Sequence, residues 1–138
     1  MSWWHEFSKA WGKRDGEALA SWFTENAIYV GGSGRKLEGA AMIGQYIRDY
    51  TEKFSSDYVV ETVSFFQAGD RFAAEWIWRG TNDRGGLMGP ATGRPYTIHG
   101  VSTGRLANGK IQEARDYWDT AGFLRGLGLL PAPGTSSD

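Results

Sequence analysis

Cysteine is absent from the 138 residues, which removes disulfides, thiolate nucleophiles and zinc–thiolate sites together. Histidine is scarce, and His5 and His99 stand too far apart in sequence to suggest a metal-binding cluster, so no metal is expected. Neither sign of charge dominates. A formal net charge of -1 gives no electrostatic reason to expect nucleic acid or an acidic membrane surface as a partner. No apolar run approaches the length of a membrane span. The opening stretch Met1-Ser2-Trp3-Trp4-His5-Glu6 lacks the basic segment and apolar core of a signal peptide, so a soluble cytoplasmic protein is expected.

What remains is an ordinary globular composition, 41% hydrophobic and 22% charged, in a chain long enough to bury a real core. Two counts stand out: 20 glycines and seven tryptophans. Indole rings fill cores, and they also make flat, slightly polar walls for ligand sites. The question is which tryptophans share a face.

Trp3, Phe7 and Trp11 recur at helical spacing, with Trp4 and Ala10 beside them, and predict an amphipathic first helix ending near Gly12. Asp15 can cap a second, shorter helix whose apolar side is Leu19, Trp22 and Phe23. A strand at Ala27-Ile28-Tyr29-Val30 follows, closed by Gly31-Gly32-Ser33-Gly34. Ile43, Tyr46, Ile47, Tyr50 and Phe54 form the stripe of a third helix after Gly39. From residue 57 the period becomes strand-like: residues 57–67, a turn at Ala68-Gly69-Asp70, a strand from Phe72 to Thr81, then a hairpin of Tyr96–Leu106 and Ile111–Trp118 around Asn108-Gly109. A short helix from Ala121 to Leu127 ends the pattern. A single domain over 1–130 with a flexible tail at 131–138 is expected. Helices followed by a curved antiparallel meander make an α+β architecture, and a sheet that curls under its helices leaves a conical cavity.

The order of these elements resembles the nuclear transport factor 2-like superfamily, in its SnoaL-like polyketide cyclase and ketosteroid isomerase branches. The stretches that carry the resemblance are Arg14-Asp15-Gly16-Glu17-Ala18-Leu19, Phe23-Thr24-Glu25-Asn26-Ala27, Gly69-Asp70-Arg71 leading into Glu75-Trp76, Asn108 to Glu113, Tyr117-Trp118-Asp119 and Leu124 to Gly128. The resemblance implies a cone-shaped α+β barrel, with three N-terminal helices packed on a curved antiparallel sheet. It also implies a dimer through the outer sheet face. That face carries Glu75, Ile77, Arg79, His99, Glu113, Arg115 and Tyr117, a mixture of apolar groups and both charge signs.

Strand alternation sorts the inner residues. Gln112, Ala114, Asp116 and Trp118 share one face of the last strand; Phe72, Ala74, Trp76 and Trp78 share one face of the strand from 72. These sets resemble the cavity lining of the family. The hairpin partner then turns Ile98, Gly100, Ser102 and Gly104 inward and His99 outward, unless a bulge reverses it. Phe7, Trp11, Tyr29 and Tyr46 close the remaining side. Each aromatic taken alone reads as core. Taken together, with glycines at 100 and 104 leaving room beside three indoles, they read as a slot for a flat hydrophobic small molecule.

Asp116 is the residue with chemistry. Beneath a tryptophan wall its carboxylate loses solvent and its pKa rises, the tuning that acid–base work near neutral pH requires. Its position is similar to that of the acid/base aspartate of SnoaL-like cyclases; the other reading is a carboxylate satisfied by Ser102, Tyr29 or a backbone amide. Ser102 and Tyr29 are the candidate catalytic partners, and together with an indole N–H they are the candidate oxyanion donors. The isomerase trio is missing, since its tyrosine falls at Phe7, its base at Gly31 and its second acid at about Ser102. The Asp-Arg-Asp set of the epoxide hydrolase branch finds only Asp116.

Other motifs fail on context. Gly100-Val101-Ser102-Thr103-Gly104 matches a nucleophile elbow in letters, but it lies mid-strand and no histidine follows residue 99. Gly31 to Lys36 lacks the spacing of a phosphate loop, and Gly126-Leu127-Gly128 lacks the third glycine of a dinucleotide site. The glycine-rich insertion Gly80–Gly93, with Met88 and Pro90, reads as a lid, a surface excursion or a dimer contact, and Arg84 and Arg94 as solvated charges or as contacts to a polar ligand edge. The expectation is a cofactor-free enzyme performing aldol-type cyclisation or isomerisation on an aromatic or polycyclic carbonyl compound. The alternative is a ligand-binding domain with the same pocket and no turnover.

Overall fold

A computed structural model describes residues 3–131 and 134, so most of the proposed tail lies outside the described residues. The elements run α1 (Trp3–Gly12), α2 (Gly16–Ala20), β1 (Phe23–Val30), β2 (Lys36–Glu38), α3 (Ala40–Lys53), β3 (Val59–Ala68), β4 (Arg71–Thr81), β5 (Pro95–Ala107), β6 (Lys110–Trp118) and α4 (Thr120–Gly126). No helix among the described residues is long and apolar enough to cross a membrane.

Local chemistry explains the boundaries. The first helix buries Trp4, Phe7, Ala10 and Trp11, one stripe at helical spacing. Arg14 takes a left-handed conformation, with φ of 58°, and sends its guanidinium 2.7 Å to the Tyr58 carbonyl, which fixes the corner between α1 and α2. Asp15 caps α2 by accepting from the Glu17 and Ala18 amides. Gly16 and Gly44 let the backbones of α2 and α3 touch, since a Cβ at either would collide with the other's carbonyl oxygen. Asn108 and Gly109 both have positive φ, 53° and 78°, as a two-residue I′ hairpin demands.

The six strands form one sheet in the order β2-β1-β6-β5-β4-β3. From β3 to β6 it is the antiparallel meander that alternation predicts. Three details depart from the sequence reading. Phe23 opens β1 instead of closing α2, because the Trp22 carbonyl already accepts from the Ile111 amide and begins the sheet. The sheet is mixed, with β1 parallel to β6 through pairs such as Tyr29 with Ala114; the short β2 then pairs with β1. Gln112 is not inward: Leu106 pairs with Ile111 and Arg105 with Glu113, so Gln112 is an extra residue. The bulge turns Ile111 inward, 1% exposed, and leaves the Gln112 side chain bonded to Thr24. The helices α1, α2 and α3 do precede the meander, but β1 and β2 are threaded between them, and α4 follows it.

Candidate active site

A cavity of about 380 Å³ lies between the helices and the inner face of the sheet, within the range of small-molecule sites. Its walls come from α1 (Trp4, Phe7, Trp11), α3 (Tyr46, Tyr50), β4 (Phe72, Trp76, Trp78), β5 (Ile98, Ser102) and β6 (Ile111, Ala114, Asp116, Trp118), with Tyr29 from β1 and Phe123 from α4. The burial along β4 and β5 alternates strictly through this region, which is why one face of each strand supplies the wall. Trp76 stands edge-on to both Trp78 and Trp118, at ring separations of 6.4 Å. Trp11 meets Trp78 in the same manner at 5.1 Å.

Asp116 is 6% exposed and bounds this apolar space. Ser102, opposite it in the β5–β6 register, donates to Oδ1 at 2.5 Å, and the Tyr29 hydroxyl donates to Oδ2. Ser102 in turn accepts from the Trp76 indole N–H at 2.9 Å. The result is a directed chain: Trp76 to Ser102 to Asp116, met from the other side by Tyr29. Burial pushes the Asp116 pKa from 3.8 up to about 6, while the Ser102 and Tyr29 hydrogen bonds, which favour the charged form, hold it from rising further. Burial, reinforced by the Asp116 charge, raises the Tyr29 phenol well above its usual value, so Tyr29 stays a neutral donor.

These bonds alter the roles read from sequence. The Ser102 and Tyr29 hydroxyls are spent on Asp116, and the Trp78 indole N–H donates to Tyr96, so none of the three is open to a ligand oxygen. Tyr46 offers an open hydroxyl donor on the wall. The hydroxyls of Tyr29, Tyr50, Tyr58 and Tyr96 all have side-chain partners, whereas that of Tyr46, on the cavity wall, has no hydrogen-bond partner among the described residues. Its pKa is pushed up to about 12 by burial and then by the Asp116 charge, against a lowering by Arg35. Tyr46 therefore lies within the fields of both charges.

The remaining candidates fall on both sides. Phe7, Trp11, Tyr46, Trp76, Trp78, Ile98 and Trp118 line the cavity. Gly100 does not, and glycines 100 and 104 leave no vacant room. A Cβ at 100 would sit inside the Trp76 ring and one at 104 against Phe72, so these glycines accommodate the indole and the phenyl ring. His99 is exposed on the outer face opposite Ile77, with no bulge to turn it inward. Arg84 and Arg94 are absent from the wall; Arg94 lies against Gly128. The 80–93 segment does reach the site, presenting Leu87 and Met88.

Sequence reasoning missed Trp4, Ser33, Arg35 and Leu87 as lining residues, and named Met88 only as part of a lid. Arg35 had no readable signal, since a lone arginine in a glycine-rich turn looks like any solvated charge. Among the described residues no cluster of His, Asp or Glu side chains is arranged to hold a metal ion.

Residues 4–114 match the family described as SnoaL-like domain. No curated protein matches the chain. Among solved structures, a protein from Catenulispora acidiphila with a ketosteroid isomerase-like fold, crystallised with trimethylamine, superposes with a TM-score of 0.76 at 21% identity over 94% of each chain. A proposed SnoaL-like polyketide cyclase from Jannaschia superposes at 0.78 with 20% identity, over 91% of this chain and 88% of that one. IdmH, a proposed polyketide cyclase from Streptomyces antibioticus, gives 0.70 and 23% over 88% and 93%. At such identities the likeness is one of fold.

Proposed function

The chain belongs to the SnoaL-like domain family, and from that premise we propose that it is a cytoplasmic, cofactor-free acid–base enzyme acting on a flat aromatic or polycyclic carbonyl compound. The observation that carries this reading is Asp116: a buried carboxyl on the wall of an indole-lined cavity, with a pKa of about 6. At neutral pH such a group is mostly ionised yet basic enough to take a proton from a carbon beside a carbonyl, and acidic enough to return it elsewhere. In the proposed reaction Asp116 removes that proton, the resulting enolate closes onto a second carbonyl or is reprotonated at another carbon, and Asp116 then delivers its proton. Ser102 and Tyr29 are positioning residues that hold the carboxylate in one orientation. The Tyr46 hydroxyl is the donor for the developing oxyanion. The indoles fix the ring plane and exclude water, and the helices close the cone that the curved sheet begins.

One observation favours a second reading, a ligand-binding domain without turnover: Asp116 is already bonded at both oxygens, as a structural carboxylate would be. Two measurements separate the readings. Carboxyl NMR follows the titration of Asp116 with and without acetonaphthone, and proton NMR in deuterium oxide follows exchange of the ketone's acetyl protons. Titration near 6 that moves with the ketone, and exchange abolished by Asp116→Asn, are expected. A carboxyl that titrates near 3.8 and ignores the ketone would leave only the binding reading.

The proposal extends to a homodimer through the outer face of the sheet. Support comes from paired Val101 and Tyr117, 38% and 57% exposed in the middle of that face.

A further inference from the structure

The cavity wall carries one cation and one anion among its described residues, Arg35 and Asp116, and they do not pair. Arg35 follows the turn that joins β1 to β2, held by the Gly34 amide on the Gly31 carbonyl and the Gly31 amide on the Arg35 carbonyl. This turn forms part of the rim. Gly32 lies flat under the Trp118 ring, where any Cβ would strike the indole, and Ser33 and Arg35 line the opening. The Arg35 guanidinium sits 5.8 Å over the Tyr46 ring, a cation–π contact that holds it in place without neutralising it. Exposed Arg79 and Arg105 on the outer face each have a glutamate partner, whereas Arg35 has no carboxylate within ion-pair distance among the described residues. Asp116 lies two residues from Trp118 on the same strand face, about 7 Å along β6. The wall therefore offers a cation at the mouth, flat apolar rings between, and an acid further in.

We infer that the ligand is a flat aromatic or polycyclic carboxylate whose anionic end is held at the rim by Arg35, with its ring body inserted between the indoles toward Asp116. The inference rests on the reading of this cavity as a small-molecule site and names the class of molecule it takes. Guanidinium and carboxylate match as planar partners, and the Ser33 hydroxyl on the same turn can add a second donor. The ionised Asp116 repels a carboxylate from the interior, which fixes the direction of entry. A neutral ring compound has no such preference.

Tryptophan fluorescence gives the test, at a pH of about 8, where Asp116 is ionised in every arm. The probes are naphthoate and acetonaphthone, matched in ring body and differing in charge. Naphthoate is expected to bind more tightly than the ketone, and its affinity to fall as salt is added while the ketone's does not. Arg35→Gln is expected to weaken naphthoate by at least about fivefold and leave acetonaphthone unchanged. Arg35→Lys, which keeps the charge, is expected to retain most of the salt-sensitive preference. If both probes bind alike and Arg35→Gln is silent or weakens them equally, the inference is overturned and the pocket reading stands. If neither probe binds the wild type, both fail together.

Discussion

At the scale of a residue, burying the Asp116 carboxylate costs stability at neutral pH, and the sign of that cost can be checked. Its folded pKa, about 6, lies above the 3.8 of an unperturbed carboxyl, so the folded state holds the proton more tightly than the unfolded one. The stabilisation from this group is present below 3.8 and is lost as pH rises through 6; the full difference is about 3 kcal/mol. Asp116→Asn is therefore expected to melt higher than wild type at pH 8 and to lose this part of the pH dependence, while proton exchange on the ketone disappears. Thermal melts from pH 4 to 8 would show it; an Asn variant less stable at every pH would mean the carboxylate is held by its two hydroxyl donors more firmly than burial penalises it. Ser102→Ala removes a donor that favours the charged form. The Asp116 pKa should then rise further, as read by carboxyl NMR.

At the scale of an element, the strands place the chain of hydrogen bonds and the segment after β4 brings Leu87 and Met88 to the cavity wall. Gly100 on β5 gives Trp76 the space to lie across the sheet and reach Ser102. Gly100→Ala should displace that ring and cost about 1–3 kcal/mol by urea denaturation, with the Trp76–Ser102 bond weakened. The segment after β4 is pinned at its base by carboxylates. Asp57 accepts from the Thr81 amide, and Asp83 from the Ser56 hydroxyl and amide. The Thr81 amide holds the Asp57 pKa below its usual value, and the Ser56 hydroxyl does so for Asp83. For lowered carboxyls the stabilisation is present above 3.8 and is lost as pH falls through their folded values. Hydrogen-exchange protection at the Ser56 and Thr81 amides should accordingly collapse in acid before the sheet does. A segment protected equally at both ends of that range would show that Leu87 and Met88, packed at the cavity mouth, hold it without the carboxylates.

At the scale of the whole molecule, the sheet has an inner face committed to the cavity and an outer face that is only partly polar. Ile28, Val101 and Tyr117 are exposed there beside Glu113, Arg115 and His99. If that face joins two copies, replacing Tyr117 with Arg and Val101 with Glu should convert a dimer to a monomer in sedimentation velocity and leave naphthoate binding intact. A wild type that sediments as a monomer would remove the proposal at once.

The sequence by itself determined the class of fold and much of the wall. Period-two alternation on β4, β5 and β6 is a local property, so it grouped Trp76 with Trp78, Ile98 with Ser102, and Asp116 with Trp118, and the resemblance to the family's cavity lining marked those faces as inward. The Asn108-Gly109 turn pairs Ala107 with Lys110 and Leu106 with Ile111, a register that, carried on unbroken, would set Ser102 opposite Arg115; the extra residue at Gln112 is what brings Asp116 there. Three things were decided only by the tertiary structure. The parallel docking of β1 on β6 carries Tyr29 across 87 residues of sequence to Asp116, and no local pattern encodes a pairing that distant. The bulge at Gln112 shifted one face by a residue, because accommodating Ile111 in the core outweighs regular pairing. And Arg35, in a turn with no periodicity to read, became part of the site because the β1–β2 turn folds against Trp118 and Tyr46.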